Sequence, residues 1–214
     1  MDERDLMDAQ VRVLFHLDAA GHLLSANEAE EQAPPAPRFF LVRMRGGNVW
    51  LSRHDLPAGV LREVDRLSRR EPVAADFSGV RPATYEAIWA VLQANAPIIT
   101  EYFGASYVFP DGLRPPRGVT AVSQANASVL QGPMERFVAR LRADQPCWAI
   151  VEDGVALSVA YTWRWTVGAA AVGVYTLEGY RGRGYAVAVA AAWGCAMRRA
   201  GRLALYGHEW DNAA

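Results

Sequence analysis

The stretch Val174-Tyr175-Thr176-Leu177-Glu178-Gly179-Tyr180-Arg181-Gly182-Arg183-Gly184-Tyr185-Ala186 decides how this chain is read. An apolar run ends near Leu177, the chain turns, and glycines alternate with arginines where a run of helix formers begins. The first amides of a helix have no internal partner and point outward, and the helix dipole favours anions there. Glycines at 182 and 184 let the backbone approach a ligand closely. Arg181 and Arg183 can add charge-assisted hydrogen bonds to phosphate oxygens. Such a loop has the physical properties of a pyrophosphate cradle.

Two familiar phosphate loops do not fit. A GxGxxG loop needs a third glycine where Val187 stands, and a GxxxxGK[ST] loop needs a lysine, of which the chain has none. The pattern that fits is (Arg/Gln)-x-x-Gly-x-(Gly/Ala), met by Arg181, Gly184 and Ala186. Working outward, strands are predicted over Cys147–Glu152, Ala156–Thr166 and Ala169–Leu177, with a turn at Glu152-Asp153-Gly154. A helix to Ala200, a stop at Gly201 and a strand over Arg202–Trp210 follow. Val119–Val129 reads as extended and Met134–Ala143 as helical. The result is a mixed α/β sheet.

The loop, with Val174 and Thr176 on the strand before it, resembles the coenzyme A loop of the GNAT acyltransferase superfamily. The order of elements from Val119 to Ala214 is similar to that fold as well. The resemblance implies an acetyl-CoA donor, a small-molecule acceptor with an amine, and an N-acetyltransferase. It would place Val174, Tyr175 and Thr176 along the pantetheine arm. The pyrophosphate would fall on Arg181, Gly182, Arg183, Gly184, Tyr185 and Ala186. It also implies that the sheet splays after this strand, with the Val174 amide polarising the thioester carbonyl. The alternative is a non-catalytic module that binds CoA or an acyl-CoA.

A base must take a proton from the acceptor ammonium. Many GNAT relatives carry a carboxylate on the strand before the loop, yet Ala169–Leu177 has none. Glu178 sits in the turn; His208 and Glu209 lie on the next strand and alternate faces. Imidazole suits proton transfer near neutrality, which makes His208 a candidate beside Glu178. Tyr175, Glu101 and a water chain stay open. The family fold normally continues with a further helix, beginning with an Asn and carrying the Tyr that protonates the thiolate. Asn212 matches the Asn, and the chain ends two residues later. The expectation is therefore a C-terminally shortened GNAT-like domain, with an unfinished sheet edge on which a homodimer can form.

The first part of the chain reads as a small α+β domain, residues 1–112, ahead of the GNAT-like domain over 113–214, with the boundary near 112 give or take ten residues. Val11–Asn27 suggests a hairpin around Asp18-Ala19-Ala20-Gly21, and Glu28–Pro37 an exposed connection. Arg38–Met44 and Val49–Arg53 form a second hairpin. Helices are predicted from Pro57 to Arg70 and from Pro82 to Ala94. The aromatic run Glu101–Phe109 reads as a strand, and Leu113–Gly118 as the linker. Glu101, Tyr102 and Tyr107 would offer part of an acceptor site.

Composition narrows the field. All 22 basic residues are arginine, balanced by 23 acids, so no electrostatic footprint for nucleic acid exists. Cys147 and Cys195 are too few for a disulfide framework. His16, His22, His54 and His208 show no metal-ligand spacing, so no metal is expected. No apolar leader follows Met1, and the longest nearly uncharged helix candidate, Gly184–Met197, is 14 residues against the roughly 20 of a bilayer span. A cytoplasmic protein is the expectation. Trp163 and Trp165 alternate with Arg164 and are predicted to share a strand face packed on the core.

Overall fold

The computed structural model describes residues 2–28, 33–73 and 79–212. The chain divides into two compact units, Met1–Ala105 and Ser106–Ala214.

In the first unit, helix α1 (Glu3–Leu14) precedes the strands β1 (Phe15–Leu17) and β2 (Leu23–Ala26). The predicted hairpin is present, but Val11–Leu14 belongs to the helix. Asp2 and Asp5 form a capping box that starts it, Asp5 N–H donating to Asp2 Oδ1 at 2.8 Å. The alternation Val11-Arg12-Val13 has the period of a strand and not of one helix face, so the sequence pattern points to a strand where the helix runs. A second hairpin joins β3 (Phe39–Met44) to β4 (Gly47–Ser52). Helices α2 (Ala58–Ser68) and α3 (Tyr85–Asn95) bury Val64, Leu67, Ile88 and Leu92 against each other. The buried Glu71 carboxylate accepts from the N–H groups of Ala83 (3.1 Å) and Thr84 (2.9 Å) and from the Thr84 hydroxyl (2.8 Å). It thereby supplies the start of α3 with an acceptor that Thr84 itself does not provide. Part of the predicted connection Glu28–Pro37 lies outside the described residues.

The second unit is built on a six-stranded sheet in the order β5-β10-β9-β8-β7-β6. Its strands are β5 (Gly104–Val108), β6 (Thr120–Val122), β7 (Cys147–Glu152), β8 (Val155–Trp165), β9 (Ala169–Thr176) and β10 (Leu203–Glu209). From β6 to β9 the neighbours are antiparallel; β9 and β10 are parallel and joined through helix α4 (Tyr185–Arg199). On one face, α4 packs Val189, Trp193 and Met197 onto Ala160, Ala170, Val172 and Ala204. The small residues on the sheet let the helix come close, and Trp193 is fully buried, its indole N–H donating to Thr162 Oγ1 at 3.0 Å. On the other face, Leu130, Met134 and Phe137, the last two from the 3₁₀ segment Gly132–Arg140, pack on Cys147, Ala149 and Val159.

Several expectations need correction here. Val119–Val129 is extended only to Val122. Ser123 and Asn126 then cap each other, Asn126 Oδ1 accepting the Ser123 N–H at 2.8 Å, and a 3₁₀ segment follows. Met134–Ala143 is 3₁₀ over Gly132–Arg140 and ends at Leu141. The compact units divide at Ala105 and Ser106, within ten residues of the boundary read near 112, and Leu113 of the stretch read as a linker lies inside the second unit, its carbonyl accepting from the Cys195 thiol at 3.4 Å. Ser106–Val108 of the aromatic run lies in the second unit's sheet beside β10, so β5, and not β10, stands at that edge. The register of β8 slips between Thr162 and Arg164, leaving Trp163 as an extra residue. Trp165 consequently joins the cluster under α4, in phase with Thr162, and does not share an alternation with Trp163.

Candidate functional site

The ladder between β9 and β10 pairs Ala169–Ala171 with Leu203–Leu205 and stops. Beyond it, β9 continues to Thr176 and β10 to Glu209 without pairing to one another. The sheet therefore opens between these strands toward their C-terminal ends, where β9 feeds the glycine–arginine loop.

Alternation along β9 shows which backbone groups face the opening. Leu203 N–H donates to the Gly168 carbonyl at 2.8 Å, so residue 168 and every second residue after it turn their backbone toward β10. From the other end, Leu177 N–H donates to Leu157 O at 2.9 Å, which turns residues 177, 175 and 173 toward β8. Both routes agree that the N–H and C=O of Val174 and the N–H of Thr176 face the opening. Tyr175 has its backbone committed to β8, and its ring sits 5.8 Å from that of Phe137. Of the three residues expected along a pantetheine arm, Val174 and Thr176 have backbone groups turned to the gap. The Thr176 hydroxyl is held at 2.8 Å by Ser158.

At the mouth of the opening, Glu178–Tyr180 form a single 3₁₀ turn and Gly184 caps α4 with φ at +78°. That left-handed conformation favours glycine at 184, and Gly182 is in the same region. No backbone or side-chain acceptor among the described residues takes the N–H groups of Gly182 through Val187. Arg181 and Arg183 are exposed; Arg183 touches the Gly179 carbonyl (3.4 Å) and the Tyr180 ring (4.9 Å), and neither guanidinium pairs with a carboxylate among the described residues. Tyr185 differs from its neighbours: its phenol donates to Glu152 Oε1 at 2.6 Å, which raises its pKa above the ordinary tyrosine value and leaves only its amide open to a ligand.

The proposed bases separate clearly. Glu178 is exposed in the turn. Glu101 hydrogen-bonds Arg81 and accepts from the Tyr85 hydroxyl at 3.0 Å, so its carboxylate is engaged. On β10, Ala204 and Tyr206 point to the α4 face, and His208 follows the same alternation. Its ring stacks on Tyr107 at 5.6 Å, while Nδ1 lies 2.8 Å from the Glu209 carbonyl. A carbonyl only accepts, so Nδ1 is the donor in that contact. Glu209 alternates to the opposite face and is exposed. Asn212 is exposed as well, and its N–H closes a turn onto the Glu209 carbonyl at 3.1 Å.

Cys147 is buried, and burial pushes its thiol up to about 12, which keeps it protonated and unreactive. Among the described residues no group of three potential ligands gathers for a metal, and no helix is long and apolar enough to cross a membrane.

No protein-family model matches the chain, and no curated protein aligns with it. Solved structures do. A structure from Novosphingobium aromaticivorans assigned to the acetyltransferases of the GNAT family aligns at 17% identity and a TM-score of 0.40, covering 52% of this chain and 55% of its own. A GCN5-related N-acetyltransferase from Kribbella flavida aligns at 22% identity and a TM-score of 0.41, covering 59% and 56%. A GCN5-related N-acetyltransferase-like protein from Streptococcus suis aligns at 14% identity and 0.40, covering 80% and 74%. The chain thus spans little more than half the length of the first two. At this level of likeness, function has to be argued from the chain's own geometry.

Proposed function

We propose that the second unit binds acetyl-CoA and transfers its acetyl group to an amine. The observation that carries this reading is the opening between β9 and β10, with the Val174 N–H turned into it and unpaired loop amides at its mouth. The residues fit such a ligand. Loop amides and the Arg181 and Arg183 side chains suit a pyrophosphate, and the Val174 and Thr176 backbones suit the amides of an extended arm. When bound, the thioester supplies an activated acetyl group whose carbon–sulfur bond breaks as the new amide forms.

The chain's own groups would then act at defined places. Val174 N–H donates to the carbonyl oxygen as negative charge develops on it. Because α4 covers one face of the opening, the acceptor enters from the other, where Glu209 and not His208 stands. Glu209 is thus the proton acceptor this geometry favours. Replacing it with Gln should lower kcat by about tenfold, water carrying part of the proton, with a smaller effect for His208→Gln. The reverse order, measured by thiol release, would return the role to His208.

Isothermal titration with acetyl-CoA, desulfo-CoA and NAD tests the cradle. Both CoA forms should bind and NAD should not. Arg181→Glu places a carboxylate against the phosphates and should weaken binding by about tenfold or more. Unchanged affinity in that variant would remove the loop from the site. A non-catalytic CoA-binding module is the second reading, favoured by the absence of any carboxylate on β9; it predicts the same titration with no thiol released.

A further inference from the structure

We infer that the acceptor is an amine that also carries a carboxylate, read by Arg136 and Arg140 on the face of the sheet opposite α4. The inference rests on the acyl-transfer reading, which sets the direction from which the acceptor comes.

The face under α4 is closed around the opening: Val172 and Val174 turn their side chains into the cluster of Val189, Trp193 and Met197. The face left for an acceptor is that of Gly173 and Tyr175. Gly173 is bare for a reason. A Cβ there would lie 2.4 Å from Tyr161 Cζ and 2.6 Å from its hydroxyl, so the Tyr161 ring lies over Gly173 on β9. Phe137 packs on both tyrosines, 4.7 Å from Tyr161 and 5.8 Å from Tyr175 between ring centroids. These three rings make a floor.

Two guanidiniums rest on that floor. Arg136 lies 4.3 Å from the Tyr175 ring and 4.8 Å from Phe137, and Arg140 lies 5.6 Å from Tyr161. Both come from the 3₁₀ segment Gly132–Arg140. Among the described residues neither has a carboxylate partner. Arg198 of the same unit shows the contrast, bonded to Asp111 and to the Phe109 carbonyl. A guanidinium set over an aromatic ring has N–H donors left for a planar anion, and a carboxylate matches them in two parallel hydrogen bonds. Two such groups on the Gly173 and Tyr175 face of β9 select an acceptor that brings negative charge along with its amine.

The test uses the full chain. With saturating acetyl-CoA, thiol release is measured for the twenty amino acids and for their carboxamides. The best acid should exceed its amide by about tenfold or more in kcat/KM, and Arg136→Gln with Arg140→Gln should abolish that preference. Without donor, N-acetylated amino acids are titrated into both proteins; the wild type should bind the best of them at least about tenfold tighter than the double variant. Acetyl-CoA affinity should be equal in the two, which also shows that the variant is folded. Equal use of acids and amides, or no binding of any N-acetylated acid by the wild type, overturns the inference. Binding of those acids by a chain that ignores acetyl-CoA would leave the anion site standing and overturn the acyl-transfer reading instead.

Discussion

Val174→Pro should lower kcat about a hundredfold while the second unit stays folded, because on the proposed reading the Val174 N–H is the donor to the reacting carbonyl and proline removes it. Proline is tolerated in a sheet where the missing donor faced no strand, and the alternation along β9 puts position 174 in that class. The residue before it, Gly173, is in a strand, which suits a residue preceding proline. Tyr175→Pro is the matched control. Its N–H faces β8, so the same change one residue later removes a ladder bond and should destabilise the unit without a selective effect on turnover. Turnover by thiol release and melting by circular dichroism separate the two. If Val174→Pro keeps full kcat, the amide is not the donor.

The largest loss of stability is expected from Trp193→Ala. This side chain is fully buried between α4 and the sheet, touching Phe109 at 5.9 Å between ring centroids and bonded to Thr162. Emptying so large a volume costs about 3–5 kcal/mol, since the alanines beneath it cannot move in to fill the space. Trp193→Phe keeps most of the volume and loses the hydrogen bond, worth about 1 kcal/mol. Urea unfolding followed by far-ultraviolet circular dichroism should rank them in that order. A cost below about 1 kcal/mol for the alanine variant would mean that α4 does not depend on this contact.

These two residues also mark what could be read without coordinates. The strands from Cys147 to Thr176, the loop and α4 were legible because their signals are local: period-two runs, turn residues at 153 and 154, and glycine at a helix start. Alternation then makes the Val174 orientation a matter of counting, once one hydrogen bond at each end is known. The failures have different causes. Trp163 is one extra residue in a ladder, and an insertion of one has no composition of its own. Ser106–Val108 pairs beside β10 across nearly a hundred residues, a non-local choice that an aromatic run does not announce. Arg136 and Arg140 lie within the predicted helix Met134–Ala143, whose pattern gives no reason to single them out. Only the fold of Tyr161 over Gly173 shows what those arginines lie upon.

The parting of β9 and β10 has an energetic meaning. Had the ladder continued, the backbone groups of Val174 and Thr176 would have found partners on β10, each such bond being worth roughly 1 kcal/mol net. The fold forgoes them and leaves a slot between the two strands beyond Ala171 and Leu205. A molecule that is itself extended and carries amide groups would enter that slot as a surrogate strand, repairing the sheet as it binds. Affinity and stability are then two views of one set of bonds, which the chain alone leaves unmade.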